Sequence, residues 1–114
     1  MREKLEKIIK NYGTSHQLKK LSEELFEFQE AVIEYMILNE ICSEEYESKL
    51  INHIEEEYAD VMVMMEQFKA YYNLDNNNII DIMNMKINRQ LDRIESEKKN
   101  ENNNIWIIRT SKRW

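Results

Sequence analysis

Apolar residues recur along this chain at three- and four-residue spacing, the mark of helices with one dry face. Leu5, Ile8, Ile9 and Tyr12 predict a first helix over 3–12, and Gly13 is its natural stop. Thr14 with Gln17 three residues later has the form of a capping box. From there a second helix is predicted to about Glu40, with Leu18, Leu21, Leu25, Phe28, Val32 and Tyr35 on one seam. Ser43, followed by acids, reads as the cap of a third helix that ends near Tyr72 and is open to a break near its start. Its seam is Leu50, Ile54, Tyr58, Val61, Met65 and Phe68. After the polar turn "NLDNNN", Asp75 or Asn76 is placed to cap a fourth helix over about 78–95.

The remainder reads differently. "EKKNENNN" is an asparagine-rich linker with nothing to bury. It leads to "IWIIR", apolar enough to dock as a short strand or as an arm on a neighbouring subunit. Trp106 and Trp114 are read as anchors of that tail or of a subunit contact. The predicted organisation is therefore one all-α domain over 1–95, an antiparallel bundle of four main helices, and an extended tail over 96–114. One glycine and no proline leave little material for hairpins, which strengthens the helical reading.

Charge and cysteine content narrow the function classes. A net charge of −6 argues against general binding to a nucleic-acid backbone, although a small anion bridged by metal ions remains compatible. "MREKLEKIIKNYG" has no apolar signal-peptide core, and no run is long and apolar enough to span a bilayer. Cys42 stands alone, without a disulfide or metal-motif partner. A soluble protein of a reducing cytoplasm is expected.

The candidate chemistry lies in the acids. At about 100° per residue, with Val61 at zero, Glu57 falls inside the apolar arc of the third helix, between Phe68 and Met64. Asp60 follows about 60° further round. On the second helix Glu24 and Glu27 occupy the same-handed flank of the Leu21–Leu25–Phe28 seam, Glu24 closer in. Packing two antiparallel helices seam to seam sends like-handed flanks to one face, so Glu24, Glu27, Glu57 and Asp60 are expected to converge. Four carboxylates at a core edge repel one another unless a hard, oxygen-preferring cation, chiefly Mg²⁺, compensates them. Either acidic pair alone is an ordinary solvated face; the matched flanks make them a candidate site. A di-iron centre of the Glu-x-x-His kind is excluded, because Gly13 and Leu50 stand three residues before His16 and His53.

"EELFE" (Glu23–Glu27) followed by "EYAD" (Glu57–Asp60) resembles the EExxE…ExxD pattern of the MazG-like, all-α nucleoside triphosphate pyrophosphohydrolases. "YGTSHQLKKLSEEL" resembles that family's entry into its first metal-binding helix, and "MKINRQLDRI" its Lys/Asn/Arg-bearing helix. The likeness spans residues 12–95 and is nearest to the short, single-domain versions common in phages. The stretch between the motifs is long for the family, and the tail has no counterpart in it.

The resemblance implies hydrolysis of a (deoxy)nucleoside triphosphate between the α and β phosphates, with Glu24, Glu27, Glu57 and Asp60 holding Mg²⁺, or Mn²⁺ as a substitute. Glu23 or Glu56 would orient the attacking water or take its proton. Lys86, Asn88 and Arg89 would contact phosphate and sugar, and His16 and Gln17 base or sugar. It also implies a homodimer or homotetramer, in keeping with apolar residues beyond a single stripe, such as Phe26, Ile33, Met36, Met62 and Tyr71. Two other readings stay open: the same fold capturing a nucleotide without turnover, and a helical scaffold whose acids only solubilise it.

Overall fold

A computed structural model of the chain describes residues 1–102. It consists of four α-helices: α1 Arg2–Tyr12, α2 Thr14–Leu38, α3 Glu44–Tyr71 and α4 Asn76–Asn102. Among the described residues there is no strand. The strand or arm expected of "IWIIR", with Trp106 and Trp114, lies outside them. No described helix is long and apolar enough to cross a membrane. The chain divides into two compact units, Met1–Leu74 and the part from Asp75 onward.

In the first unit, the helix boundaries follow from local chemistry. Gly13 separates α1 from α2 at φ 90°, a conformation that a residue with a Cβ adopts only under strain. The capping box expected at Thr14 does not form. Gly13 is the N-cap, no side chain caps the helix, and Thr14 is already its first residue. Ser43 does cap α3: its Oγ accepts from the Tyr46 N–H at 3.2 Å, and Glu44, Glu45 and Glu47 occupy the first turn. α3 then runs unbroken to Tyr71.

Three contacts between α2 and α3 show an antiparallel hairpin. Gln17 bonds Gln67 at 2.8 Å, the Phe28 and Tyr58 rings meet at 5.9 Å, and Tyr35 Oη donates to Glu47 at 2.8 Å. As the α2 position advances from 17 to 28 to 35, its partner on α3 retreats from 67 to 58 to 47. α1 packs against both helices. Arg2 ties the start of α1 to the end of α3, donating to Asn73 Oδ1 at 2.8 Å and to the Ala70 carbonyl at 3.5 Å.

The core is thin. Among the described residues its buried apolar members are Ile9, Ala31, Leu50, Met64 and Ala70. On α3 the buried line runs through Leu50, Met64 and Gln67, whereas Tyr58 and Met65 of the predicted seam are exposed. The packed face is thus turned from the predicted seam towards the acids. That rotation places the Glu57 side chain against the neighbouring helix and leaves part of the apolar arc outside.

The second unit begins with Asp75, whose Oδ1 accepts from the N–H groups of Asn77 and Asn78 at 2.9 and 3.2 Å. Capped in this way, α4 starts two residues before the predicted position. It also continues through 96–102, which the sequence reading assigns to a linker. Glu and Lys propagate a helix well, and no glycine or proline interrupts this stretch. Composition that gives a segment nothing to bury does not by itself unwind it.

Candidate metal centre

The hairpin register sets two short acidic segments opposite each other. Glu24 and Glu27 lie on α2 between Gln17 and Phe28, and Glu57 and Asp60 lie on α3 facing that interval. Glu24, Glu57 and Asp60 each offer one carboxylate oxygen to a group whose atoms all lie within 4.8 Å of one another. Glu24 is buried, Glu57 half-buried and Asp60 exposed, so the group opens from the helix interface towards solvent.

Glu27 is not part of this group. One turn along α2 it lies about 60° further round than Glu24, and its side chain is exposed. The structure therefore assembles three of the four expected metal ligands. The other predicted residues fall as follows. Glu23 is exposed and lies 3.7 Å from Lys20. Glu56 is exposed and accepts a bond from Asn52 Nδ2 at 3.1 Å on its own helix. Lys86, Asn88 and Arg89 are on α4 in the second unit, Lys86 half-buried and the other two exposed. Their expected role rests on the resemblance alone.

The electrostatics of the three-acid group are unfavourable as the residues stand. Two unit charges 4.8 Å apart repel by about 3 kcal/mol at an effective dielectric of ~20, before water at the Asp60 side screens them. Lys20, one turn earlier on α2, answers part of this charge, and His53 stands at the equivalent position on α3. Lys20 Nζ lies 3.1 Å from Glu24 Oε1, and His53 Nδ1 lies 3.9 Å from Glu57 Oε1. The hydrogen bond to Glu24 and the charge behind it hold the Lys20 ammonium above the usual lysine range. In both acids the second oxygen is unanswered: Glu24 Oε2 and Glu57 Oε2 are buried with no hydrogen-bond partner. Native proteins seldom leave buried charged oxygens bare, and a cation is one of the partners that satisfies them.

Two turns along the same hairpin from this group is a polar link that the sequence pattern does not announce. Gln17 Nε2 donates to Gln67 Oε1 at 2.8 Å, and both side chains are buried. His16 Nδ1 lies 2.8 Å from Gln17 Oε1, and Gln67 Nε2 reaches Met64 Sδ at 3.5 Å. Because the Gln17 amide nitrogen is donating, its oxygen is the acceptor, so His16 carries a proton on Nδ1. The exposed His16 ring stacks on Tyr12 with centroids 5.1 Å apart. Gln17 is thus held in the core by its bond to Gln67. The signal for Gln67 was its position: an amide inside "VMVMMEQFKA", three residues past Met64 on the packed line.

No family model, curated protein or solved structure matches the chain.

Proposed function

We propose that the α2–α3 hairpin is the metal-holding half of a nucleoside triphosphate pyrophosphohydrolase, which cleaves a (deoxy)nucleoside triphosphate to its monophosphate and pyrophosphate. One observation carries the reading: Glu24 and Glu57 meet Asp60 while each keeps a buried carboxylate oxygen without a partner. The donor set is all carboxylate oxygen, which suits Mg²⁺, or Mn²⁺ in its place, over softer metals. The motif likeness to MazG-like enzymes supports the same assignment.

Glu24, Glu57 and Asp60 would hold the ion, with exposed Glu27 as a further acid one turn along α2. When bound, such an ion supplies charge neutralisation for the triphosphate and acidifies a water. Glu23, beside Glu24 in the sequence and open to solvent, is the proposed acceptor of that water's proton. Glu56 is the alternative; each has one oxygen near a neighbour on its own helix, Asn52 for Glu56 and Lys20 for Glu23.

Two measurements test this. Purified protein with Mg²⁺ should release pyrophosphate from at least one member of a panel of standard and modified nucleoside triphosphates, and excess chelator should stop it. Added Mg²⁺ or Mn²⁺ should also raise the melting temperature, because an ion that binds only the folded site stabilises it. Silence across the panel together with a melting temperature indifferent to metal overturns the proposal. Tight nucleotide binding without product would make the protein a sequestering one instead.

We further propose that the chain works as a homodimer or homotetramer. Leu18, Leu25 and Met36 of α2 and Ile51, Tyr58 and Met65 of α3 are exposed, on the flanks turned away from the acids. So few buried apolar residues leave this unit short of the burial a stable fold needs, and self-association supplies it. Sedimentation equilibrium should give at least twice the 14.0 kDa chain mass at micromolar concentration; a constant 14.0 kDa refutes it.

A further inference from the structure

Lys20 borders the acidic group without being one of its carboxylates. Lys20 stands one turn before Glu24, on the same flank of α2, with its ammonium 3.1 Å from Glu24 Oε1 and 3.7 Å from Glu23 Oε2. The two partners differ in mobility. The Glu24 side chain is 9% exposed and fixed at the helix interface, whereas that of Lys20 is 45% exposed on a flexible four-carbon stem. Lys20 can therefore leave into water with little penalty, while Glu24 cannot follow. Nor does the pair satisfy Glu24, whose Oε2 remains bare.

We propose that Lys20 is a counter-charge on loan. It neutralises Glu24 while no ion is bound, and is released to grip a phosphate oxygen of the nucleotide once a divalent cation takes the carboxylate. The inference rests on the metal reading given above. A lysine suits the exchange because its ammonium is a compact charge with three rotatable donors, able to trade a carboxylate oxygen for a phosphate oxygen without a fixed geometry. A doubly charged ion outcompetes a single ammonium for Glu24, since it also meets Glu57 and Asp60. The freed ammonium then lies beside a polyanion brought in by that same ion. The exchange moves charge without exposing a buried group.

Lys20→Met separates metal binding from phosphate binding; the position is exposed, and helicity by circular dichroism first confirms that the variant is folded. Isothermal titration with Mn²⁺ alone should show the variant binding severalfold more tightly than wild type, because the competing charge is gone. Titration with a triphosphate analogue that resists α–β cleavage, in saturating Mn²⁺, should show it binding about tenfold more weakly. Lys20→Arg, which keeps the charge, should stay close to wild type in the first titration and recover most of the second. Unchanged or weaker metal binding in Lys20→Met overturns the proposal, as does unchanged analogue binding. A wild-type protein that binds no Mn²⁺ fails the metal reading itself, which is a different outcome from either of these.

Discussion

Glu24→Gln is expected to move function and stability in opposite directions. Loss of one of three converging carboxylates should weaken Mn²⁺ binding and pyrophosphate release by about a hundredfold or more, since disturbing even the groups that orient metal ligands costs 10–100-fold. In excess chelator, however, the same variant should be more stable than wild type. The substitution removes a buried charge whose Oε2 has no partner and ends its repulsion with Glu57 and Asp60. The new amide keeps the shape, still offers an oxygen to Lys20, and adds N–H donors facing two carboxylates. A gain of about 1 kcal/mol is reasonable for satisfying such a group, and would raise the melting temperature by roughly 5 °C in a domain of this size. Asp60→Asn provides the contrast. Asp60 is exposed, so its loss should impair metal binding with little change in stability. If Glu24→Gln lowers stability in chelator instead, the Lys20–Glu24 pair is a structural ion pair and the site loses its main physical support.

How far the sequence discloses this arrangement depends on the interaction concerned. Some helix boundaries are local and readable, since Gly13, Ser43 and Asp75 each act within a few residues of themselves, whereas the box expected at Thr14 does not form and α4 outruns its expected end. The convergence of Glu24 with Glu57 and Asp60 was readable too, because matched flanks follow from helical periodicity and an antiparallel turn alone. The rotation of α3 was not. It depends on which residues interlock across two helices, and Ala31 and the Gln17–Gln67 pair favour a closer approach along the acidic side than the bulkier Tyr58 and Met65 would allow. Glu27 lies further out on the wheel than Glu24, and at the rim of a narrow interface that offset of about 60° separates a side chain in the group from one in solvent. The helical course of 96–102 shows the reverse case, since polar composition there does not mean loss of structure.

The second large effect concerns the amide pair. Gln67→Leu should destabilise the protein by about 2 kcal/mol, because Gln17 Nε2 then stays buried with no acceptor. Gln17→Leu should do the same to Gln67 Oε1. The double variant should lose markedly less than the sum of the two, with a coupling of at least ~1 kcal/mol, since two apolar side chains facing each other leave only the exposed His16 to find water. Denaturant unfolding in chelator measures all four corners of this cycle without involving the metal. The same proteins decide what Gln17 is for. A residue committed to holding α2 against α3 should affect nucleotide affinity only through stability, so the double variant, assayed well below its melting temperature, should bind the triphosphate analogue within about twofold of wild type. Additive losses in the cycle would show that the two amides act independently. A selective collapse of nucleotide affinity in the stable double variant would return Gln17 to the ligand side, because a core amide pair has no other route to that phenotype.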